Sequence, residues 1–454
     1  MGHNLTYRGH AKAVLGLGLP LVGSHVAQFA ITLTDGLMLG WYSVDALAAE
    51  VLGGTLFFVF FIMGSGFAWA VMPMVASAQA SGQEAQVRRV TRMGAWASIL
   101  FGMLAIPLMV FSEGLFVLIG QDPEISELAA VYLSIVGFAI VPALLVMVLK
   151  SYLAALERTQ VVLWVTLSAV GLNIVVNYAL IFGNWGFPEM GIRGAAIASL
   201  VVNIASLLVL MVYAAFVTPE HALFQRVWRP DWEAFGQVFR LGWPIGLTNL
   251  AEVGLFAAST TMMGWLGKVP LAAHGIAMQA ASLTFMVHLG LSNAATVRAG
   301  HAFGRQDREE LVDGAKVVLL LSGVFAGLTV VLFLALPEPI IGVFMSPDEP
   351  QRAAVIAVGV GLLAAAAMFQ MMDAAQVMAL GLLRGVQDTR APMIIAAISY
   401  WIIGVPVSYM LGFTFGFGGI GIWLGLAVGL AFAAVLLLMR FWGWSVASVG
   451  ASKP

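Results

Sequence analysis

Cysteine is absent from this chain, which excludes disulfide frameworks, thiolate metal sites and cysteine catalysis while leaving the redox compartment open. Charge is nearly as scarce: Asp, Glu, Lys and Arg make up 10% of the 454 residues, against about 25% in soluble globular domains. The net charge is −2 and no basic stripe is present, so nothing points to nucleic acid as a partner. No GxxxxGKS or GxxxxGKT phosphate loop occurs, and no polar stretch could house one, so the chain does not hydrolyse ATP. Neither a DDxxD nor a HExxH motif is found, which removes prenyl-diphosphate and zinc-hydrolase chemistry and leaves no enzyme reading. The polar start, MGHNLTYRGHAK, lacks a small-residue cleavage site ahead of a short apolar core. No cleaved signal peptide is therefore expected; the first helix would itself direct insertion.

What fills the chain instead is apolar sequence. Hydrophobic residues make up 61%, and the mean hydropathy is +0.96. Twelve runs long enough to span a bilayer follow one another, at 13–37, 45–73, 91–112, 126–149, 160–182, 191–216, 236–264, 270–297, 314–336, 352–382, 391–413 and 419–442. The reading is an all-α polytopic membrane protein of twelve transmembrane helices. With the N-terminus inside, 18 of the 21 basic residues fall on the cytoplasmic side, Lys150 and Arg384 among them, and only Arg193, Lys268 and Arg352 fall outside. That bias predicts that both termini are cytoplasmic. The glycosylation-like NLT at Asn4 then lies on the wrong side to be used.

One stretch organises the rest. Leu241 to Gly264, LGWPIGLTNLAEVGLFAASTTMMG, carries Glu252 near its middle. That acid sits roughly 16 Å into a helix rising ~1.5 Å per residue, about the midplane of a hydrocarbon core ~30 Å thick. A carboxylate at that depth reads as functional by default. The stretch also has a twin, Leu17 to Trp41, at an offset of 224: Leu17/Leu241, Gly18/Gly242, Pro20/Pro244, Met38/Met262, Gly40/Gly264 and Trp41/Trp265. Further on, Asn177 to Ile192 is more weakly similar to Ser408 to Ile422. An even number of spans sets both copies the same way up. Parallel repeats of this kind place a transport pathway between two halves that rock against each other. The expected organisation is two pseudo-symmetric six-helix lobes, 1–217 (helices 1–6) and 238–454 (helices 7–12), joined by a polar cytoplasmic linker at 218–237.

Three acids are counted inside spans: Asp35, Glu252 and Asp373. Asp373 has Gln370 and Gln376 three residues to either side, on one helical face. Glu252 has Asn249 and Thr248 one turn before it, and span 5 offers Asn173 and Asn177 at i, i+4 as partners for Asp35. No Lys or Arg lies deep inside the spans to pair with the acids, so they remain able to take up a proton or a cation. For the asparagines and glutamines, inter-helix hydrogen-bonding glue is an equally good reading. Uncompensated carboxylates among Met and aromatic residues suit a lipophilic organic cation. Candidate lining residues are Phe256, Met263, Met278, Met286 and Phe369, with Met262 and Met371 beside them; for each, ordinary packing competes. His274 and His288 in span 8 admit a proton-relay or a structural reading. Gly421, Gly425 and Gly429 read as a packing face.

Taken together, LPLVGSHVAQFAITLTDGLMLG, GWPIGLTNLAEVGLF and the Gln370–Asp373–Gln376 set followed by LGLLRGVQDTRAP resemble the multidrug and toxic compound extrusion (MATE) family, in its NorM-type bacterial branch. The likeness runs over nearly the whole chain. It implies secondary active efflux of cationic drugs by antiport against sodium ions or protons, in a bacterial inner (plasma) membrane and without a cofactor. The resemblance assigns Glu252 and Asp373 to a cation site, with sodium as their metal if sodium is the coupling ion. It assigns Asp35, Asn173 and Asn177 to a second site. Some NorM-type members carry a tyrosine one turn before the span 10 aspartate; here that position is Phe369. The rival reading is a lipid-linked oligosaccharide flippase of the same superfamily, which would need a basic cavity for its diphosphate. Membrane lipid surrounds either machine, and a closed two-lobe transporter can work as a monomer.

Overall fold

The computed structural model describes residues 5–451, and among them all regular structure is helical. Asn4 and Lys453 lie outside the described residues. Twelve long helices follow in order: α1 Tyr7–Tyr42, α2 Val44–Ala80, α3 Glu84–Val110, α4 Pro123–Ala155, α5 Thr159–Phe182, α6 Ile192–Val217, α7 Trp232–Leu266, α8 Lys268–Arg305, α9 Arg308–Ala335, α10 Arg352–Gly385, α11 Arg390–Thr414 and α12 Gly418–Ser448. Short helices at Glu113–Leu118 and Pro337–Gly342 follow α3 and α9. Eleven of the long helices are apolar enough to cross a membrane by length and composition. The twelfth is α7, whose apolar run is diluted by Asn249 and Glu252.

Several helices outrun the spans that hydropathy marks. The α8 helix continues to Arg305 where its apolar span ends at 297, and α10 reaches Gly385 where its span ends at 382. Hydropathy reports only the lipid-matched length, whereas backbone hydrogen bonding carries a helix on for as long as its residues tolerate it. Within α11 the backbone loosens into π-helical turns at Ile398–Gly404 and Met410–Thr414, on either side of Pro406. That proline has no N–H to give an α-helical ladder.

The chain forms two compact units: an N-unit, Gly23–Gly246, and a C-unit, Met1–Val22 with Leu247–Pro454. Their limits fall inside α1 and α7, just past the twin prolines Pro20 and Pro244, and are themselves one repeat offset apart. Close packing of glycines explains the placement. In the N-unit a Cβ on Gly66 of α2 would collide with the backbone of Gly242 and Gly246 on α7. In the C-unit a Cβ on Gly290 of α8 would collide with the backbone of Val22 on α1. Gly66 and Gly290 are 224 residues apart, as are Val22 and Gly246. Each unit thus captures the opening turns of the other repeat's first helix.

Inside the N-unit a core gathers Met38, Leu39, Met109, Tyr132, Leu133, Ile140, Leu144 and Ile181. Inside the C-unit, α10 packs on α8, α9 and α12. Small residues bring α8 and α10 together: Ser292 Oγ donates to Val377 O at 2.9 Å and Thr296 Oγ1 to Gly381 O at 2.9 Å. The glycine face of α12 works as expected. Gly421, Gly425 and Gly429 lie against the backbone of Leu411, Ser408 and Gly404 on α11, with no room for a side chain.

The polar stretch at 218–237 is firmly held by α3. Arg92 donates to Leu223 O at 2.8 Å and to Ala222 O at 2.5 Å, and Trp96 Nε1 donates to Val227 O at 2.6 Å. Arg89 pairs with Asp231 at 2.5 Å and with Glu233 at 3.0 Å. The guanidinium beside it holds the Asp231 carboxyl below the usual carboxylate range. His221, bonded through Nδ1 to the Tyr152 hydroxyl, is held below its ordinary value by burial.

Candidate functional site

Each unit buries acids, and the two sets are built differently. In the N-unit, Asp35 on α1 is 7% exposed, and the α5 pair Asn173 and Asn177 is fully buried. Spacing of i, i+4 puts both amides on one face. Asn173 Nδ2 donates to Asp35 Oδ1 at 2.9 Å, and Asn177 Nδ2 donates to the same oxygen at 2.6 Å. Asn177 Oδ1 is buried without a partner. The three residues that the sequence set side by side therefore meet.

The sequence count of acids passed over one half-buried acid here. Glu50, inside the expected second span, interacts electrostatically with Asp35, and Tyr132 of α4 interacts with both acids. Its signal was legible, because an acid six residues into α2 has no other way to reach water than along the helix. Lys150, near the end of α4, is half-buried and donates to Thr166 Oγ1 at 2.8 Å. Thr166 in turn bonds Ser24 of α1 at 2.8 Å.

The C-unit brings together Glu252 and Asn249 of α7, Gln370, Asp373 and Gln376 of α10, and Tyr400 in the π-helical part of α11. Asp373 is 2% exposed, and Gln370, Gln376 and Tyr400 are fully buried. Glu252 and Asp373 lie near enough to feel each other's charge. Gln376 Nε2 donates to the Tyr400 hydroxyl, while Gln370 Nε2 reaches only Ala281 O, at 3.4 Å. Four buried acceptor oxygens have no hydrogen-bond donor: Glu252 Oε1, Gln370 Oε1, Asp373 Oδ1 and Gln376 Oε1. Hard oxygens of this kind, two from acids and two from amides, fit a sodium ion or a proton. Among the described residues no three His, Asp or Glu side chains gather into a transition-metal centre.

Arg384 overturns the expectation that no basic residue accompanies these acids. It lies two residues past the end of the expected span, yet α10 continues and buries it to 8% exposure. Its Nη2 donates to Asn249 Oδ1 at 2.9 Å, and it interacts electrostatically with Glu252 and Tyr400.

The candidate lining residues fall into two groups. Phe369 and Met263 are buried in helix packing, and Phe256, Met278 and Met286 are half-buried. Phe369 stands edge-on to Phe256 at 5.9 Å and to Trp423 at 5.3 Å between ring centroids. His274 has both ring nitrogens engaged: Trp423 Nε1 donates to Nδ1 at 3.1 Å, and Thr260 Oγ1 lies 3.0 Å from Nε2. Because the indole can only donate, Nδ1 is the acceptor and Nε2 carries the proton, which favours the structural reading of this histidine. His288 bonds Ser322 at 3.0 Å. An apolar groove of about 440 Å³ opens between α7 and α11, lined by Met262, Trp265, Pro406 and Tyr409; none of the acids reaches it.

Comparison with known proteins settles the lineage. The MatE family model matches residues 20–179 and again 244–410, so each copy begins at one of the twin prolines. The chain belongs to the MatE family. It is 45% identical over 434 residues to the probable multidrug resistance protein NorM of Rhizobium meliloti (strain 1021), covering 95% of this chain and 93% of that protein. With the multidrug resistance protein NorM of Burkholderia vietnamiensis it shares 34% identity over 433 residues, covering 95% and 94%. The fold matches an outward-facing multidrug resistance MATE family transporter of the MOP superfamily with a TM-score of 0.88 at 19% identity, over 98% of each chain. It matches a eukaryotic MATE transporter with a TM-score of 0.86 at 19% identity, again over 98% of each chain. This MatE chain is a multi-pass membrane protein.

Proposed function

We propose that this MatE protein is a secondary active multidrug efflux antiporter. It exports lipophilic organic cations in exchange for sodium ions or protons by alternating access, in a bacterial inner membrane, with both termini cytoplasmic and a monomer as the working unit. The observation that carries the reading is the set of partnerless oxygens on Glu252, Asp373 and their flanking glutamines, buried in a helical unit. Buried acceptors without donors are costly unless a cation visits them. A protein that holds such a set in both the loaded and empty states must differ in charge between them, and that difference biases one conformation over the other. The NorM relatives are named as multidrug resistance proteins, which supports drugs as the substrates, and the buried carboxylates support cationic ones. A site that takes up a cation from one side can release a drug cation to that side by direct or indirect competition.

The buried basic residues give the flippase reading a foothold, since a diphosphate needs positive charge. Arg384 is already engaged with Asn249 and Lys150 with Thr166, so neither offers the paired, open guanidinium or ammonium groups that a diphosphate requires.

The test is export of a fluorescent lipophilic cation from proteoliposomes under an imposed sodium gradient and, separately, an imposed proton gradient. Wild type is expected to export under at least one gradient. Glu252→Gln and Asp35→Asn, both still folded, are expected to lose at least nine-tenths of that rate. Full export by both variants would falsify the antiport reading.

A further inference from the structure

The stretch between α6 and α7 exposes aromatic surface that a purely aqueous linker has no use for. Trp228 and Trp232 are each 75% exposed, with Phe224 and Val227 exposed beside them. Rings of this size forfeit a large burial gain when left in water. Arg226 and Arg229 alternate with them, are exposed, and have no ion-pair partner among the described residues. Asp231 and Glu233, the acids next in the chain, are both taken up by Arg89. Across 84–92 and 218–240 six arginines stand against four acids, so the surrounding charge is positive.

The stretch is also held at a defined level. Arg92 and Trp96 lie one and five residues past the start of the span expected at 91–112. Both donate to linker carbonyls, Arg92 to Ala222 O and Leu223 O and Trp96 to Val227 O. Five helical residues rise roughly 7.5 Å, and a long helical side chain leans back toward the helix N-terminus. Val227 is thereby set near the boundary of hydrocarbon and headgroups, the level at which tryptophan is enriched in membrane proteins. Arg229 N donates to Arg226 O at 3.1 Å. A turn closed in this way holds the two arginine Cα atoms within about 7 Å, so that one phosphate can meet both.

We propose that residues 224–232 form an interfacial anchor that binds the phosphate headgroups of anionic lipids. Arg226 and Arg229 take the phosphate, for which a guanidinium offers a two-pronged donor. Trp228 and Trp232 insert among the upper parts of the acyl chains. Because Trp232 opens α7, the anchor sets the level at which that helix enters the membrane. The inference stands apart from the antiport reading, and its test involves no transport.

The absence of cysteine makes the experiment direct. Full-length protein carrying a spin label on Gln225→Cys is placed in nanodiscs of phosphatidylcholine alone or mixed with phosphatidylglycerol. Access of a neutral, water-soluble nickel chelate to the label is read by power saturation. A label on Gln83→Cys, exposed just before α3, is the control. Phosphatidylglycerol is expected to lower access at position 225 about threefold by drawing the arginines to its phosphates, and to leave position 83 unchanged. Arg226→Gln with Arg229→Gln is expected to abolish the difference, and Trp228→Ser to raise access in both lipids. All the altered side chains are exposed. Equal access at position 225 in the two lipids, or a difference that survives the double arginine variant, overturns the anchor. If inorganic phosphate lowers access equally in phosphatidylcholine alone, the arginines serve a soluble anion and the lipid assignment is overturned.

Discussion

Gly66 and Gly290 occupy the same place in the two repeats and have the same function, whereas the acids do not match at all. Each glycine lets α2 or α8 approach the opening turns of the helix that starts the other repeat. By the same offset of 224, Asp35 corresponds to Ser259, Glu252 to Gln28, and Asn249 to His25. The two units therefore share their packing and differ in their chemistry. One holds a carboxylate between two amide donors, and the other holds two carboxylates with a tethered guanidinium. Duplication preserved what backbone geometry demands, since a glycine at a van der Waals contact has no substitute. It left free what only an ion reads. A transporter with two chemically unlike acid sites can assign different ions or different steps to them.

The largest effect expected from breaking this symmetry falls on the shared frame. Gly66→Ala and Gly290→Ala each push a methyl group into backbone that cannot retreat as a side-chain tip could. Overpacking of that kind costs about 1–3 kcal/mol or more. Both variants are expected to lose most of their folded yield, measured by size-exclusion chromatography of a fluorescent fusion. If one tolerates the methyl group and the other does not, the two interfaces are not equivalent and the parallel drawn between them fails.

The next effect separates the two sites. Hydrogen bonds to a charged group contribute ~1.5–3 kcal/mol, so replacing both Asn173 and Asn177 by Ala should strip Asp35 of a substantial part of its support. A drop of about tenfold in drug-transport rate follows from ~1.4 kcal/mol. Gln370→Ala in the C-unit should cost much less, because its amide meets Ala281 O only at 3.4 Å. Equal losses at the two sites would show that the single acceptor Gln370 Oε1 supports the cation as strongly as the two amides support Asp35.

How much of this was legible beforehand depends on the kind of signal. Twelve apolar runs, the repeat offset and the i, i+4 pair Asn173 and Asn177 are periodicities, and periodicity survives in a bare sequence. The pairing of Asp35 with those asparagines followed from it. Arg384 was missed as a neighbour of the acids because hydropathy ends a span where apolar residues end, while the helix and its burial continue. Its long side chain also makes position along the helix a poor guide to where the charge sits. Glu50 was visible as a letter inside span 2 and was passed over, since a single acid near a helix end usually reaches solvent. The compact units were not readable from the polar stretch at 218–237, because polarity marks exposure and not a seam. The glycine contacts that decide the seam involve residues 176 and 268 positions apart, such as Gly66 with Gly242 and Gly290 with Val22.

The smallest effect tests the same divergence at the surface. Asp231 and Tyr7 are twins by the offset, as are Arg89 and Asp313, and both pairs touch. In the N-unit the contact is an ion pair at 2.5 Å; in the C-unit it is a phenol donating to a carboxylate at 3.4 Å. Asp231 also accepts from Ala234 N at 3.1 Å at the start of α7, a cap that asparagine can keep. Asp231→Asn therefore keeps the cap and removes the charge together with one of the two hydrogen bonds from Arg89. Arg89 and Asp231 are 34% and 25% exposed, so screening limits the pair to at most about 1 kcal/mol and the melting shift to at most about 2 °C. The sign with pH is fixed by the direction of the shift. Because Arg89 holds the folded Asp231 carboxyl below its ordinary value, near 3.9 in an unfolded chain, its contribution is complete above that value and disappears as pH falls through the lower folded one. The gap between wild type and Asp231→Asn should accordingly be flat from neutral pH to about pH 5 and close in stronger acid. Tyr7→Phe, losing only a long and exposed hydrogen bond, should melt with wild type at every pH. A Tyr7→Phe shift as large as that of Asp231→Asn would mean that the twin contacts kept their strength as well as their place.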